Sequence, residues 1–344
     1  MTIITNKVIL NEERNVSLVT MILDNQNELK VGKRPAIVVL PGGGYAMCSD
    51  REAEVVAFPY LAAGFNAFVL RYSVGDHRRW PNPLNDWDQA MEYILDHAEA
   101  WGVAEDKIAV VGFSAGGHLA ASAATLAKHR PNAALLGYAA LLQDIADACH
   151  PGSVVPAPVD CVDGKTPPCF IFAARDDSLV PLSNQTRFME KLNEFGIIYE
   201  CHIYPFGGHG FSTGESHISG DTCRRLPNWV KDSIGFLEDV FGALTPKGFK
   251  KPAISGKVNG NREEYLSINC TYHYLSDHPG TDQIIAPIRT VLEGFAKANY
   301  KNPESAISII GSMKLGDILA FLGKSPSELT EIDSLLAKIK NLNN

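Results

Sequence analysis

Three short patterns in this chain could do chemistry together. The first is Gly112-Phe113-Ser114-Ala115-Gly116, a G-x-S-x-G sequence. A serine becomes a nucleophile when its Oγ projects from a tight turn between strand and helix, and the crowding of that turn calls for residues without side chains on both flanks. Gly112 and Gly116 meet that requirement. The second pattern is the acid pair Asp176-Asp177, and the third is the histidine of Gly207-Gly208-His209-Gly210-Phe211. A hydroxyl, an imidazole and a carboxylate together support acyl transfer. Ser114 would attack a carbonyl, His209 would take its proton and return it to the leaving group, and an aspartate would hold the ring and stabilise its cation. Water would complete the cycle, and no metal or organic cofactor is called for.

A tetrahedral intermediate also needs hydrogen-bond donors for its oxygen. Pro41-Gly42-Gly43-Gly44-Tyr45 follows an apolar run, and successive glycines let a backbone aim its N–H groups at a ligand. A phosphate could use them, but no Gly-Lys-Ser/Thr follows, which excludes a P-loop. A serine nucleophile of this kind draws one donor from the residue after it and another from a glycine loop behind an earlier strand. That position assigns Gly43, Gly44 and Ala115 as the oxyanion hole; the alternative is a plain flexible turn. His217, downstream in a polar loop, is the rival to His209. His118, on the helix after the serine, reads as a packed structural histidine, and His202 lies inside a strand.

The elements that must position these groups alternate regularly. Arg34 to Leu40, Asn66 to Tyr72, Ile108 to Val111, Ala133 to Ala139, Cys169 to Ala174 and Ile198 to Tyr204 are short apolar runs, as buried strands require. Helical patterns stand between them at Glu52 to Ala63, Asp86 to Trp101, Leu119 to Ala127 and Leu182 to Phe195, the last closed by Gly196; Pro227 to Phe241 follows. Strand and helix in this rhythm predict an α/β fold with a doubly wound, mostly parallel sheet. Ser114, the acid pair and His209 each fall just past a predicted strand, on one rim. Val16 to Leu23 predicts an antiparallel strand at the sheet edge. Residues 143–166, rich in proline, read as an irregular excursion that either shapes the pocket or merely connects.

Composition narrows the partners. The 344 residues are 45% hydrophobic and 20% charged, an ordinary globular balance, and 31 basic against 39 acidic residues give a net charge of −8. Nucleic acid and anionic membranes need basic patches, so neither is expected as a partner. The N-terminus lacks a signal-peptide pattern and no apolar run reaches the length of a membrane span, which predicts a cytoplasmic protein. Seven scattered cysteines without C-x-x-C spacing suit free thiols in a reducing compartment, and Cys48, beside the glycine loop, reads as reactive or incidental.

Several spaced blocks together carry a resemblance. Pro41-Gly42-Gly43-Gly44-Tyr45, Ser49-Asp50-Arg51-Glu52, Phe68-Val69-Leu70-Arg71-Tyr72, Gly112 to Ala120 and Gly207 to Phe211 resemble the acetyl-xylan-esterase-like, BD-FAE-like group of bacterial α/β-hydrolases. The similarity runs from about residue 30 to 242. The order Ser114, Asp177, His209 is that of the superfamily. Asp177 is preferred over Asp176 because it stands three residues before Val180-Pro181, like the hydrolase pattern D-x-x-V-P. Pro41 stands where related lipases carry the histidine of His-Gly-Gly-Gly, a departure from the hormone-sensitive-lipase branch that leaves the glycine donors intact. The resemblance implies a serine esterase acting on small carboxylic esters, with acetylated sugars or xylo-oligosaccharides as the leading class. Tyr45, Tyr72 and Trp80 could stack on a sugar face, or equally be core aromatics. A general short-chain carboxylesterase, an amidase or peptidase of the same fold, and a non-catalytic binding module are the other readings; the last would tolerate loss of a triad member, and none is lost.

The expected domains are a catalytic domain over 1–243, a linker over 244–282 and a small helical appendage over 283–344. Helical spacing marks 284–298, 315–322 and 327–339, with Ser325-Pro326-Ser327-Glu328 as a helix start. Packing, self-association into a homo-oligomer, or carbohydrate contact are the roles open to this appendage, and no motif chooses among them.

Overall fold

The apolar runs of the sequence become the middle of an eight-stranded sheet in a computed structural model that describes residues 2–24, 31–220, 222–254 and 265–341. Strand β1 (Ile3–Asn11) pairs antiparallel with β2 (Val16–Leu23). Strands β3 (Arg34–Leu40), β4 (Asn66–Arg71), β5 (Val103–Phe113), β6 (Ala133–Gly137), β7 (Cys169–Ala174) and β8 (Tyr199–Tyr204) run parallel in the spatial order β1-β2-β4-β3-β5-β6-β7-β8. Strands β3 and β5 are adjacent at the centre, so the loops leaving them diverge at the crossover point where α/β sheets open a crevice.

The period of two along each strand sorts the core into two faces. Val38, Phe68, Val110, Leu136 and Ile171 join one buried cluster with Trp87 and Ile94 of α2 (Asn82–Asp96, continued by the single turn α3, Ala98–Trp101), Leu119 of α4 (Ala115–Leu126) and Phe188 of α6 (Ser183–Glu194). Helices α1 (Glu54–Ala62) and α8 (Asn228–Phe241) lie on the other face, where Trp229 stacks on Phe172 at 4.0 Å and Tyr60 shares a 2.7 Å hydrogen bond with Ser233. The short helices α5 (Gln143–Cys149) and α7 (Ser216–Ser219) sit in connecting loops, and a two-stranded hairpin, β9 (Leu244–Thr245) with β10 (Gly248–Phe249), follows α8.

Four local expectations change. β2 is not the edge strand: β1 covers it, and that outer strand escapes notice because its mixed sequence Ile-Ile-Thr-Asn-Lys-Val-Ile-Leu-Asn is largely exposed. Strand β5 starts at Val103 rather than Ile108, because the polar stretch Glu105-Asp106-Lys107 hides its first half. Helix α2 begins at Asn82, four residues before the expected start, with Pro83 in its first turn, where a missing N–H has no cost. The excursion 143–166 carries α5 and a 3-10 turn at Pro158–Cys161 rather than being wholly irregular.

By contact density the chain divides after Ala253. The second unit holds α9 (Tyr272–Asp277), α10 (Asp282–Asn299), α11 (Pro303–Ile310), α12 (Leu315–Phe321) and α13 (Pro326–Leu336) around Leu275, Ile285, Leu292, Ile318 and Leu336. The stretch 244–282, read as linker from its composition, thus contains the β9–β10 hairpin in the first unit and α9 in the second. Ser325 and Glu328 form a reciprocal capping box at the start of α13. Among the described residues no helix is long and apolar enough to cross a membrane.

Candidate active site

Ser114 stands at the turn from β5 into α4, with φ 53° and ψ −115°, a conformation rare for a residue with a Cβ. Its flanking glycines are sterically required. A Cβ on Gly112 would stand 2.2 Å from the Gly116 carbonyl oxygen, and one on Gly116 would stand 2.2 Å from the Leu40 oxygen. The β3 end and the β5 turn are therefore packed backbone on backbone, and the glycine loop after Leu40 is brought against the serine.

His209 Nε2 lies 2.8 Å from Ser114 Oγ, and its Nδ1 lies 2.7 Å from Asp177 Oδ2. The second oxygen of Asp177 accepts the backbone N–H groups of Leu179 and Val180, both at 2.9 Å. These bonds fix the carboxylate and explain the D-x-x-V spacing: the turn that follows the acid folds back to solvate it. The Asp177 side chain is 1% exposed and that of His209 18% exposed, so the acid is shielded while the ring faces the cleft. Asp176 points elsewhere, its Oδ1 accepting from Gly207 and Gly208 N–H at 3.0 and 2.9 Å. The two adjacent acids thus divide the work, one meeting the imidazole and the other holding the loop that carries it. His217 is exposed on α7 and is not brought to Ser114.

Gly43 and Gly44 line the cleft with φ of 129° and 60°, while the Gly42 N–H is already taken by Glu52 Oε2 at 2.9 Å. Ala115 opens α4, so its N–H belongs to the free first turn of that helix. The cleft, of about 470 Å³, is lined by the apolar Met47, Ile145, Ala148, Leu179 and Val180 together with Arg51, Ser114 and His209. Ile145 and Ala148 come from α5, so the 143–166 excursion supplies one cleft wall.

The proposed sugar contacts are corrected by burial. Tyr45 and Tyr72 are 0% and 1% exposed; Tyr45 Oη bonds His118 Nδ1 at 2.8 Å, and Tyr72 Oη donates to the Pro41 oxygen. They brace the glycine loop from behind and present no face to a ligand. Trp80 is half-buried, packs edge-on against His118 and His150, and is not part of the cleft wall. Burial holds His118 neutral by lowering its pKa to about 3, as a packed histidine requires. All seven cysteines are free thiols, and burial pushes Cys48 up to about 11, away from the thiolate that reactivity needs.

Sequence reasoning did not assign roles to Glu52 and Tyr138. Glu52 is 3% exposed yet borders the cleft; it accepts from Gly42 N–H with one oxygen and from Tyr138 Oη with the other. The Tyr138 ring meets His209 edge-to-face at 5.1 Å between centroids. The only available signal was the acid inside Ser49-Asp50-Arg51-Glu52, among the blocks of the resemblance.

Residues 23–139 match the BD-FAE family model, and residues 155–236 match the prolyl oligopeptidase family model. Endo-1,4-beta-xylanase B of Butyrivibrio fibrisolvens is 32% identical over 219 residues, 54% of this chain and 34% of that protein. An acetylxylan esterase of Xylanibacter ruminicola is 30% identical over 227 residues, 60% of this chain and 47% of that protein. The chain thus spans about a third to a half of the length of these curated relatives. An alpha/beta hydrolase enzyme from a Medee basin deep-sea metagenome library is 42% identical, covering 69% of this chain and 98% of that one, with a TM-score of 0.63. An acetyl ester-xyloside bifunctional hydrolase from Caldicellulosiruptor lactoaceticus is 27% identical, covering 68% of this chain and 96% of that one, with a TM-score of 0.61.

Proposed function

Since this chain belongs to the α/β-hydrolase family, we propose that it is a serine hydrolase of small carboxylic esters, with acetyl groups on sugars or xylo-oligosaccharides as its substrates. The observation that carries the reading is the unbroken relay from Ser114 Oγ through His209 to Asp177, at 2.8 and 2.7 Å. These distances suit proton transfer without rearrangement.

In the acylation step His209 Nε2 removes the Ser114 proton as Oγ bonds to the ester carbon, and the carbonyl oxygen becomes an oxyanion facing the N–H groups of Gly43, Gly44 and Ala115. Asp177 stabilises the imidazolium that results. The imidazolium then protonates the leaving alcohol, the acyl group stays on Ser114, and a water activated by the same ring releases acetate. A cleft of about 470 Å³ with an apolar wall suits a small acyl group better than a polymer inside it. The sugar alcohol as leaving group is supported by the relatives named for acetylxylan and acetyl ester-xyloside hydrolysis. The match of residues 155–236 to the prolyl oligopeptidase family favours an amidase as the second reading.

The test is hydrolysis of p-nitrophenyl acetate, butyrate and octanoate, an acetylated xylo-oligosaccharide and a peptidyl p-nitroanilide by the intact chain and by Ser114→Ala. The expected result is turnover of acetyl esters that falls about 10⁴-fold or more in the variant. Preference for octanoate would move the reading to a general carboxylesterase, and turnover of the anilide alone would move it to an amidase. Equal rates for chain and variant on every ester would overturn it.

A further inference from the structure

Glu52 has a chemistry the proton relay does not use. It is a carboxyl group buried to 3% at the edge of the cleft that holds Ser114 and His209, and both of its oxygens are engaged. One accepts Gly42 N–H at 2.9 Å; the other accepts the Tyr138 hydroxyl, which itself accepts Ser212 N–H at 2.9 Å. Those three partners belong to three separate loops: the glycine loop after β3, the turn after β6, and the segment three residues beyond His209.

Each partner is held tightly by its own neighbours. Tyr138 has φ 33°, donates its backbone N–H to the Phe172 oxygen at 2.7 Å, and lays its ring edge-on to His209. Ser212 has φ 49°, its Oγ donates to the Arg51 carbonyl oxygen, and its own carbonyl accepts from Trp229 Nε1 at 3.0 Å. At Gly42 a Cβ would come within 2.6 Å of Glu52 Oε2 and 2.8 Å of the Phe113 oxygen, so the loop approaches the carboxyl as closely as backbone can. Non-glycine residues held at positive φ persist where surrounding bonds over-determine them, and here the bonds converge on one side chain.

We propose that Glu52 is a positioning residue: through Gly42 and Tyr138 it locks the glycine loop and the histidine loop to one strand end, and so fixes where the oxyanion donors stand relative to Ser114. This rests on the ester-hydrolase reading for its substrate, though not for its geometry. Desolvation raises the Glu52 pKa, and the bonds from Tyr138 and Gly42 oppose that rise, so they also hold the buried group in place.

The substitutions that test the lock are Glu52→Gln and Tyr138→Phe. Gln carries one acceptor oxygen where Glu52 uses two, so with that oxygen on Gly42 N–H the Tyr138 hydroxyl loses the carboxylate it donates to and can at best accept a weaker bond from the amide N–H; Phe removes the shared hydroxyl. Two quantities are measured: kcat and KM on p-nitrophenyl acetate, and the rate at which a fluorophosphonate labels Ser114, where Oγ bonds to phosphorus as fluoride leaves. Each variant should lose about 10- to 100-fold in kcat and a similar factor in labelling, with KM within about threefold, because misplaced donors act in the transition state. The double variant should be no worse than the slower single one, since both break one chain of bonds. Wild-type kcat and labelling rate in a folded Glu52→Gln protein would overturn the proposal, as would losses that multiply in the double variant. If Glu52→Gln does not fold, Tyr138→Phe decides alone by the same split. A wild-type chain that labels at Ser114 but hydrolyses no ester would remove the ester reading and leave the labelling comparison standing; a Ser114 that does not label would overturn both.

Discussion

The two units obey local rules to different degrees. In the first, four non-glycine residues with positive φ gather where strands end at the cleft or its bracing: Tyr45, Ser114, Tyr138 and Ser212. None of its described helices begins with a side-chain cap. In the second, Gly323 is the sole described residue at positive φ, and Thr271, Asn302 and Ser325 each cap a helix. One unit stores strain at its loops and stabilises it with long-range bonds; the other caps three of its five described helices from their own neighbours. Strain of this kind concentrates where chemistry needs groups held off their preferred geometry.

The largest expected effect lies in that strained rim. Asp177→Asn should lower kcat on acetyl esters by about 10⁴-fold at neutral pH, because an amide there favours the wrong imidazole tautomer. Asp176→Asn, one residue away, should cost far less, since Oδ1 of an amide can still accept Gly207 and Gly208 N–H. Steady-state rates of the two variants check this; equal losses would erase the division of labour between the acids.

Acid should separate the units next. His118 has its pKa lowered to about 3 and His150 to about 4, both first by burial, while burial raises that of Glu52. Below pH 6.5 the unfolded chain binds protons that the folded histidines refuse, so their contribution to stability falls with pH. Glu52 works the other way, gaining as pH falls through its raised value; two histidines outweigh one carboxyl. His118 alone contributes a slope of about 1.4 kcal/mol per pH unit across its window. In the second unit Glu328 is lowered to about 2 by its bonds to Lys324 and Ser325, and that stability is lost only as pH falls from about 4.5 toward 2. Between pH 6.5 and 4.5, thermal melts followed by hydrogen exchange should show the first unit weakening and the second steady. A parallel decline would break the contrast.

The smallest effect is Ser325→Ala. Loss of that capping box should cost about 1 kcal/mol in the second unit and leave ester turnover unchanged. Calorimetry and an ester assay together test it.

What could be read in advance follows the same contrast. Continuous apolar runs disclosed the parallel strands because both sheet faces are buried, whereas β1, mixed in sequence and largely exposed, carried no such signal. The serine turn and its glycines were legible since sterics alone dictate them. The choice of Asp177 over Asp176 came from spacing, and its physical basis, Leu179 and Val180 N–H on the carboxylate, is visible only in three dimensions. Tyr45 and Tyr72 went wrong because aromatic rings look alike in sequence whether they face a sugar or the back of a glycine loop. In the second unit the capping box at Ser325 was plain, but α9, at six residues, is too short to show a helical period.

Ser114, Asp177 and His209 arrive from three different strand ends, the histidine 95 positions after the serine. During synthesis Ser114 leaves the ribosome long before His209, and β8 is the last strand of the sheet to be made. With His209 in its proposed role, a nascent chain has no base for Ser114 until β8 and the loop after it have been made. Under the roles proposed above, reactivity at Ser114 doubles as a timer for completed folding, one that a covalent probe could read in a crude translation mixture.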